Sequence, residues 1–385
     1  MTAGFEPPVY PYERLAGARA KADAHEGGLV DLSVGTPGDP PPPAAVSALS
    51  SSGTERGYPM SVGSPAYRGA ARGWMSRRFG VDVPVDAVAA CIGTKELVAT
   101  LPQWLRLRSP DRDTVLHPGV AYPTYEMGAI LAGCRSVAVP VDDRWQLDLD
   151  AIDDADAERA LALWVNSPAN PTGALHDLSA VAAWGRARGV PVLSDECYTE
   201  LTWEGRPRTI LEDGLDGVIA VHSLSKTFNL AGLRAGFYAG DPELVRYLSE
   251  VRKHAGMLVA GPVQAAAAVA LADDEHASAQ RERYRQRLER FREILAAIEV
   301  RAPMPAGGLY LWVAAPEEAG RPGGEPDSEE LTARSWAFTE RLAADGGVLV
   351  SPGDLYGPQG AGYVRVALVQ PMERLDLVAR RLGVG

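Results

Sequence analysis

Short apolar runs alternate with helical patterns along most of this chain, and that alternation restricts the possible fold more than any other feature. The runs are rich in Val, Ala and Leu with little polar alternation, as is typical of strands covered on both faces. They span residues 88–92, 114–118, 135–141, 160–166, 190–195, 218–223 and 235–240. Helical segments such as 96–107 and 178–189 lie between them. The pattern predicts an α/β fold with a seven-stranded, mostly parallel sheet and helices on both of its faces.

After the last of these runs the sequence reads as long helices, and it then returns to short strands before a final helix. A chain of 385 residues is long enough for two domains. We expect a large domain over residues 46–275 and a small α+β domain formed by residues 1–45 and 276–385. Stretches rich in Pro and Gly at 38–46 and 316–330 are predicted to be exposed connections, the second of them a surface insertion.

Composition excludes several classes of protein. Acidic residues outnumber basic residues by 50 to 38, and the formal net charge of −12 disfavours binding to nucleic acid or to an anionic membrane. Three cysteines without paired spacing exclude a disulfide scaffold and a CxxC site. The N-terminus has neither the basic flank nor the apolar run of a signal peptide, and no stretch resembles a membrane helix. These features predict a cytoplasmic protein.

Polar residues follow most of the predicted strands, at the sheet edge where open α/β folds bind ligands. Gly93 and Thr94 open a helix, and a helix N-terminus offers N–H groups to a phosphate. The hydroxyls of Ser223 and Ser225 and the guanidinium of Arg234 suit the same anion. These residues predict a phosphate site. Lys95 directly follows Thr94 and is assigned to the same turn, as a further residue of the predicted phosphate site.

A second group at this edge suits an aromatic aldehyde. Tyr122 offers a ring face, and Asp195 offers a carboxylate that can hold a proton on a ring nitrogen. Asn170 and Tyr198 offer donors to a phenolic oxygen, and Lys226 offers an amine that can condense with an aldehyde. Lys226 is one of only four lysines in the chain. The combined requirements are those of pyridoxal 5′-phosphate, with Lys226, Asp195 and Tyr198 as the catalytic residues.

Several motifs resemble those of the class I/II aminotransferases of fold-type I, in the same order along the chain. They are AYPTY (121–125), NSPANPTG (166–173), SDECY (194–198), SLSKTFNLAGLRAGF (223–237) and VRVAL (364–368). Longer segments resemble the actinobacterial-type N-succinyldiaminopimelate aminotransferases. They include VDLSVGTPGDP (30–40), GYPMSVGSPAYR (57–68), IGTKELVA (92–99), HPGVAYPTYE (117–126), VRKHAGMLVAGPVQAA (251–266) and SPGDLYGPQGA (351–361).

The resemblance implies further roles. Arg365 would clamp the substrate α-carboxylate, with Asn170 and the backbone at Gly35 also contacting the substrate. Tyr58 would reach the cofactor phosphate of a neighbouring subunit, which implies a homodimer. The implied reaction moves an amino group between glutamate and an oxo acid in lysine and diaminopimelate biosynthesis, most directly that of N-succinyl-LL-2,6-diaminopimelate. Thr227-Phe228 stand where such relatives often have Arg-Ser, which leaves the exact substrate open.

Each assignment has a plainer alternative from the residues alone. These alternatives are a surface lysine for Lys226, a helix N-cap for Asp195, core packing for Tyr122, a solvent-facing strand residue for Arg365, a positive-φ turn for Gly35, and an ordinary loop aromatic for Tyr58. A paralogue acting on another amino acid, or another reaction on the same cofactor such as β-elimination, also stays open. A cofactor-dependent transcription regulator is disfavoured, because only about 45 residues precede the sheet domain. The histidines form no catalytic triad or metal pattern.

Overall fold

The computed structural model describes residues 5–317 and 326–384, and twelve strands and twelve α-helices lie within them. The strands are β1 (Val30–Asp31), β2 (Val88–Cys91), β3 (Thr114–Pro118), β4 (Arg135–Val139), β5 (Ala160–Asn166), β6 (Val192–Asp195), β7 (Val218–Ser223), β8 (Gly236–Gly240), β9 (Tyr310–Ala314), β10 (Val348–Leu349), β11 (Ser351–Pro352) and β12 (Tyr363–Ala367). The helices are α1 (Ala16–Asp23), α2 (Pro43–Ser51), α3 (Pro65–Phe79), α4 (Thr94–Arg108), α5 (Thr124–Leu131), α6 (Asp154–Arg159), α7 (Leu178–Arg188), α8 (Pro242–His254), α9 (Gly261–Ala270), α10 (Asp274–Ala297), α11 (Ser328–Gly346) and α12 (Met372–Arg381).

Seven strands form one mostly parallel sheet in the order β2-β8-β7-β6-β5-β3-β4. The five strands from β7 to β4 in this order are parallel, whereas β8 runs antiparallel to both β2 and β7. The predicted α/β fold with a seven-stranded sheet is confirmed. The antiparallel β8 follows directly from the chain, because β7 and β8 are joined by a loop of twelve residues with no crossover helix.

Apolar side chains cover both faces of this sheet. Along β7, Val218 and Ala220 belong to one buried cluster, whereas Ile219 and Val221 belong to another. Alternate residues of a strand point to opposite faces, so the two clusters are the two sides of the sheet. This double burial explains why the strand sequences are apolar throughout and do not alternate.

At two of the strands, a proline makes the strand shorter than its apolar run predicted. The run 135–141 ends as a strand at Val139, directly before Pro140, and the run 190–195 begins as a strand at Val192, directly after Pro191. Proline has no N–H to donate to a neighbouring strand. The apolar runs therefore locate the strands correctly, with three bounds exact and the other four runs one or two residues too long.

The contacts divide the chain into two compact units. The larger consists of residues 36–286 and 305–309 and contains the seven-stranded sheet. The smaller consists of the described part of residues 1–35, 287–304 and 310–385. It holds the parallel pair β1-β10 and the antiparallel sheet β11-β12-β9.

The two predicted connections differ from the structure in their extent. The proline-rich stretch 38–46 passes into α2 at Pro43, where proline is tolerated because the first helical N–H has no intrahelical partner. In the stretch 316–330, residues 318–325 lie outside the described residues, and α11 begins at Ser328 with Asp327 as its N-cap. None of the described helices is both long enough and apolar enough to cross a bilayer.

Candidate active site

The carboxyl ends of β5, β6 and β7 bring three polar residues to one edge of the large sheet. Asn166 is the register partner of Asp195, and Asp195 is the partner of Val221, two residues before Ser223. Parallel strands place their carboxyl ends side by side, so residues distant in sequence meet at this edge.

Asp195 is buried and held by two donors. The Tyr125 hydroxyl donates to Oδ2 at 2.8 Å, and the backbone N–H of Cys197 donates to Oδ1 at 3.2 Å. Burial raises the pKa of Asp195 above its ordinary value, and the hydrogen bonds from Cys197 and Tyr125 limit that rise. The carboxylate is therefore prepared for a cationic partner, since a positive charge nearby would remove the cost of ionising it in a buried position.

The turn after β5 positions Asn170. The Asn166 side chain accepts a hydrogen bond from the backbone N–H of Asn170 at 2.7 Å and donates one to the Asp195 carbonyl at 2.8 Å. The NSPANPTG motif is therefore a turn, and this turn fixes Asn170 beside the strand that carries Asp195. Asn170 and Tyr198 are both buried.

A second cluster forms where α4 begins. Gly93 is the N-cap of α4 with φ +70°, and a Cβ at this position would overlap the Arg234 guanidinium. Only glycine allows that guanidinium to lie against the first turn of the helix. Thr94 is joined to the Asp195 region, because the Cys197 thiol donates to its hydroxyl at 3.2 Å. The structure thus brings together the groups predicted to bind a phosphate: a helix N-terminus, a hydroxyl and a guanidinium.

Ser223 ends β7, and the loop between β7 and β8 carries Ser225, Lys226 and Arg234. The backbone N–H of Ser225 donates to the Ser223 hydroxyl at 3.1 Å, and the Lys226 carbonyl accepts from the Tyr284 hydroxyl at 3.2 Å. Lys226 is half-buried, so the plain surface-lysine interpretation does not describe it.

Electrostatics link Lys226 to the Asp195 region. Burial raises the pKa of the Cys197 thiol, the Asp195 carboxylate raises it further, and the charge of Lys226 opposes both. Lys226 and Asp195 therefore act on the same thiol from two different strand ends.

Tyr122 and Lys95 lie at the outer side of this group. The Lys95 ammonium is 6.0 Å from the centroid of the Tyr122 ring, and Lys95 is exposed. Tyr122 is half-buried, packs against one of the two apolar clusters of the sheet, and meets the ring of Tyr125 edge-on at 6.1 Å. A cation and a partly open aromatic ring thus lie beside the turn that is predicted to bind a phosphate.

Arg365 and Gly35 belong to the smaller unit. Arg365 is 2% exposed, so the solvent-facing interpretation of this strand residue is wrong. Its guanidinium lies 4.4 Å from the ring centroid of Tyr310 and 4.8 Å from that of Tyr356, and it donates to the Ser33 carbonyl. Stacking aromatic rings hold the planar fork in a fixed orientation.

Gly35 does not have the positive φ that its turn suggested. A Cβ at Gly35 would instead lie 2.5 Å from the Tyr310 hydroxyl. Close approach of the Tyr310 ring, rather than backbone conformation, therefore explains the glycine. Tyr58 belongs to the larger unit and is 99% exposed.

Sequence reasoning missed four residues that support the predicted ones. Tyr125 and Cys197 hold Asp195, Asn166 holds Asn170, and Tyr310 packs on Arg365. Tyr125 and Cys197 lie inside the quoted motifs AYPTY and SDECY, so the signal was present. The sequence does not indicate the direction of their side chains, because that direction depends on where α5 lies against β6.

No cluster of His, Cys, Asp and Glu suited to a metal ion occurs within residues 5–317 and 326–384. His222 is buried with its Nε2 3.5 Å from Glu196 Oε2, and burial lowers the pKa of this histidine to about 3. His222 is therefore neutral in the folded chain beside the Glu196 carboxyl.

Comparison with known proteins agrees with this geometry. A family model described as "Aminotransferase class I and II" matches residues 28–382. The chain is 41% identical to the 4-dedimethylamino-4-oxo-anhydrotetracycline transaminase OxyQ of Streptomyces rimosus, over 98% of this chain and 99% of that protein. It is 35% identical to the LL-diaminopimelate aminotransferase of Aquifex aeolicus, over 97% of this chain and 96% of that protein.

A solved structure described as a probable N-succinyldiaminopimelate aminotransferase from Thermus thermophilus superposes with a TM-score of 0.83 at 30% identity. That comparison covers 97% of this chain and all of the other.

Proposed function

This chain belongs to the class I and II aminotransferases, a family that depends on pyridoxal phosphate, and we propose that it transfers the amino group of glutamate to the oxo acid that corresponds to N-succinyl-LL-2,6-diaminopimelate. The observation that supports amino transfer is the buried Asp195 carboxylate at the same sheet edge as Lys226. The support for the substrate is the likeness to proteins named as diaminopimelate and N-succinyldiaminopimelate aminotransferases.

The donors present fit the cofactor. Gly93 has no side chain to fill the space beside Arg234, and the first turn of α4 directs its N–H groups toward that space. We assign the phosphate to this turn, to Ser223 and Ser225, and to Arg234. Tyr58, exposed on the surface of one copy, is assigned to the phosphate of a neighbouring copy in a homodimer.

The ring and its substituents are assigned to the second group. Tyr122 would cover one face of the ring, and Asn170 and Tyr198 would donate to its phenolic oxygen. Asp195 would hold a proton on the ring nitrogen, a role that requires the carboxylate to be ionised. The hydrogen bonds from Tyr125 and Cys197 favour that ionised form.

When bound, the cofactor supplies an aldehyde that takes up the amino group and a ring that withdraws electrons from the bond to be broken. Lys226 would accept the proton from the substrate Cα and return it, and for this its amine must be neutral. Partial burial and a nearby cationic ring both favour the neutral amine. Arg365 would clamp the α-carboxylate, with the Gly35 backbone beside it. The fixed, stacked fork of Arg365 suits a carboxylate better than a flexible ammonium would.

The extended dicarboxylic substrate needs a second cationic group, and we assign that role to Lys95. Its ammonium is exposed next to Tyr122 and has the reach of a flexible side chain. Because an exposed ammonium can follow ligands of different length, Lys95 would favour a distal carboxylate without fixing its position.

A second candidate is amino transfer to another acceptor. The protein 41% identical to this chain is named for a tetracycline-type ketone, not for an amino acid of lysine biosynthesis. In addition, Thr227 and Phe228 are buried directly after Lys226, where a different pair of side chains would change the space near the substrate. A β-elimination reaction on the same residues is the third possibility.

A substrate panel tests the proposal. The cofactor-loaded protein is mixed with glutamate, alanine, N-succinyl-LL-diaminopimelate, unsuccinylated diaminopimelate and cystathionine, each half-reaction is followed by absorbance, and a polycyclic ketone is tested as the acceptor after glutamate. We expect N-succinyl-LL-diaminopimelate to have a kcat/KM at least about 10-fold above that of unsuccinylated diaminopimelate. Better turnover of a polycyclic ketone acceptor, or release of pyruvate from cystathionine, would replace the proposed substrate or reaction.

The role of Lys95 is tested with a matched lysine. Lys95→Ala should lower kcat/KM for substrates with a distal carboxylate by about 10-fold or more and change that for alanine less, because one charge-assisted contact is lost. Lys253→Ala, an exposed lysine next to Glu250, removes the same charge elsewhere and should leave the panel unchanged. An equal loss for alanine and for the dicarboxylic substrates would show that Lys95 serves the cofactor alone.

A further inference from the structure

An ion pair between a buried arginine and a half-buried glutamate lies under the turn that opens α4. Glu96 is the third residue of the helix, and its Oε2 accepts a hydrogen bond from the backbone N–H of Ile92 at 3.3 Å. The N-cap Gly93 has no side chain to cap the helix, so Glu96 holds the backbone on the far side of the cap. Thr100, one turn further on, donates to the other carboxylate oxygen at 3.1 Å.

Arg252 of α8 covers both oxygens of the same carboxylate. Its Nη1 lies 2.6 Å from Oε1 of Glu96 and its Nη2 lies 2.9 Å from Oε2, which is a bidentate pair. Arg252 is 1% exposed and lies over the ring of Tyr238 at 5.9 Å. Such a pair is shielded from salt and water and is geometrically fixed.

The pair is close to the Arg234 site. Burial raises the pKa of the Cys91 thiol, and the charges of Arg252, Glu96 and Arg234 all act on that thiol, the two arginines lowering the pKa and Glu96 raising it. Cys91 ends β2, two residues before Gly93. All three charged groups are therefore close enough to act on Cys91, two residues before the N-cap of α4.

A carboxylate in the first turn of a helix competes with a phosphate at the same place. The N-terminus of a helix attracts one anion through its N–H groups, and a second negative charge nearby opposes the binding of the first. Glu96 without Arg252 would therefore weaken a phosphate at Gly93 and Thr94. With Arg252 bound, the carboxylate keeps its hydrogen bond to Ile92 while its charge is neutralised.

We infer that Glu96 and Arg252 are positioning residues for the cofactor phosphate: Glu96 fixes the backbone of the turn, and Arg252 cancels the charge that would repel the phosphate. The inference rests on the proposed assignment of that phosphate to Gly93, Thr94 and Arg234. It extends the phosphate site to two residues that do not touch the phosphate.

Binding to the apoprotein tests this inference without any reaction. Dissociation constants of inorganic phosphate and of pyridoxal phosphate are measured for the parent, Arg252→Met, Glu96→Gln and the double variant. Arg252→Met should weaken both ligands by about 10-fold or more, because Glu96 is left charged and unpaired. Glu96→Gln should bind phosphate within about 3-fold of the parent or more tightly, because the positive charge of Arg252 remains. The double variant should recover most of the loss seen in Arg252→Met.

This order of phosphate affinities distinguishes an effect of charge from simple structural support. If only structural support were lost, both single variants would bind phosphate more weakly than the parent, and the double variant would bind it most weakly. That result, or parent-like binding by Arg252→Met, would overturn the inference. Arg108→Met is the matched control, because it breaks an ion pair to Glu243 between the same two helices at their exposed ends. It should bind phosphate as the parent does.

Three further variants cover the remaining cases. If Arg252→Met does not fold by circular dichroism, Arg252→Lys keeps the charge and loses the fork, and it should bind phosphate more tightly than the paired variant Arg252→Gln. Arg234→Met tests the underlying assignment. Parent-like phosphate binding by Arg234→Met would show that the phosphate site is assigned wrongly. Weak binding by Arg234→Met together with parent-like binding by Arg252→Met would refute only the role of the ion pair.

Discussion

Replacement of Tyr125 by phenylalanine removes one hydroxyl from a fully buried ring and one of the hydrogen bonds to Asp195. The lost bond is the 2.8 Å contact to Oδ2, and the Tyr125 ring itself keeps its stack on Trp164. Hydrogen bonds to a charged group contribute about 1.5–3 kcal/mol. Without this bond the ionised carboxylate is less stable, so the pKa of Asp195 in the apoprotein should rise further.

The sign of the pH dependence follows from the direction of that shift. Burial already raises the pKa of Asp195, so the folded apoprotein binds its proton more tightly than the unfolded chain does. The contribution of Asp195 to the free energy of unfolding is therefore largest at low pH and falls as the pH rises through the raised pKa. In Tyr125→Phe the pKa of Asp195 is higher still, so its contribution to the free energy of unfolding keeps falling up to a higher pH. The loss of stability relative to the parent should thus be about 1–2 kcal/mol larger at pH 8 than at pH 4.5.

The assay is urea unfolding of the apoprotein at both pH values, followed by tryptophan fluorescence. Tyr238→Phe is the matched control, because it removes an equally buried hydroxyl that contacts Ser249 at 3.2 Å and not Asp195. Its loss of stability should not depend on pH in this way. In the loaded enzyme, Tyr125→Phe should slow the glutamate half-reaction, but less than Asp195→Ala, which should cost roughly 10–100-fold. An equal destabilisation by Tyr125→Phe at both pH values would refute the reasoning.

Three further outcomes are expected. Borohydride treatment of the loaded enzyme should fix the cofactor to Lys226, and label on Lys95 or Lys253 with Lys226 unmodified would contradict the assignment; peptide mass mapping decides. Arg365→Lys should lower kcat/KM for all amino acids together and leave simple amines nearly unaffected, because a point charge cannot replace a two-bond fork; a loss confined to one amino acid would instead assign Arg365 to the side chain. Tyr58→Phe should raise the dissociation constant of the cofactor, and mixing it with the inactive Lys226→Ala chain should restore activity through one intact site per mixed dimer; unchanged activity on mixing would place Tyr58 outside its neighbour's site.

The large sheet was predictable because its strands are buried on both faces. Residues such as Leu163 and Val165 leave no polar alternation, so their sequence alone indicates a covered parallel strand. Proline positions would have corrected the strand ends at Val139 and Val192. The polar residues at strand ends, Asp195 among them, were predictable for the same reason, since a charge directly after an apolar run is unusual.

Contacts between distant segments were not predictable. Glu96 and Arg252 are 156 residues apart, and nothing in either local sequence indicates that their side chains meet. The surroundings of Arg365 show the same limit, because Tyr310 and Tyr356 reach it from different parts of the chain. A single strand sequence indicates which residues alternate, but not whether a neighbouring segment covers its outer face.

The composition of the smaller unit has a consequence during protein synthesis. Val30 of β1 pairs with Val348, and Leu15 and Leu32 are buried in the same unit. About 275 residues lie between Gly35 and Tyr310, and a ribosome adding roughly 5–20 residues per second needs on the order of 14–55 s to make them. The larger unit is nearly continuous in sequence and can fold in that interval. Residues 5–35 are made before their partners near Val348, so the core of the smaller unit can be completed only after the larger unit has been synthesised.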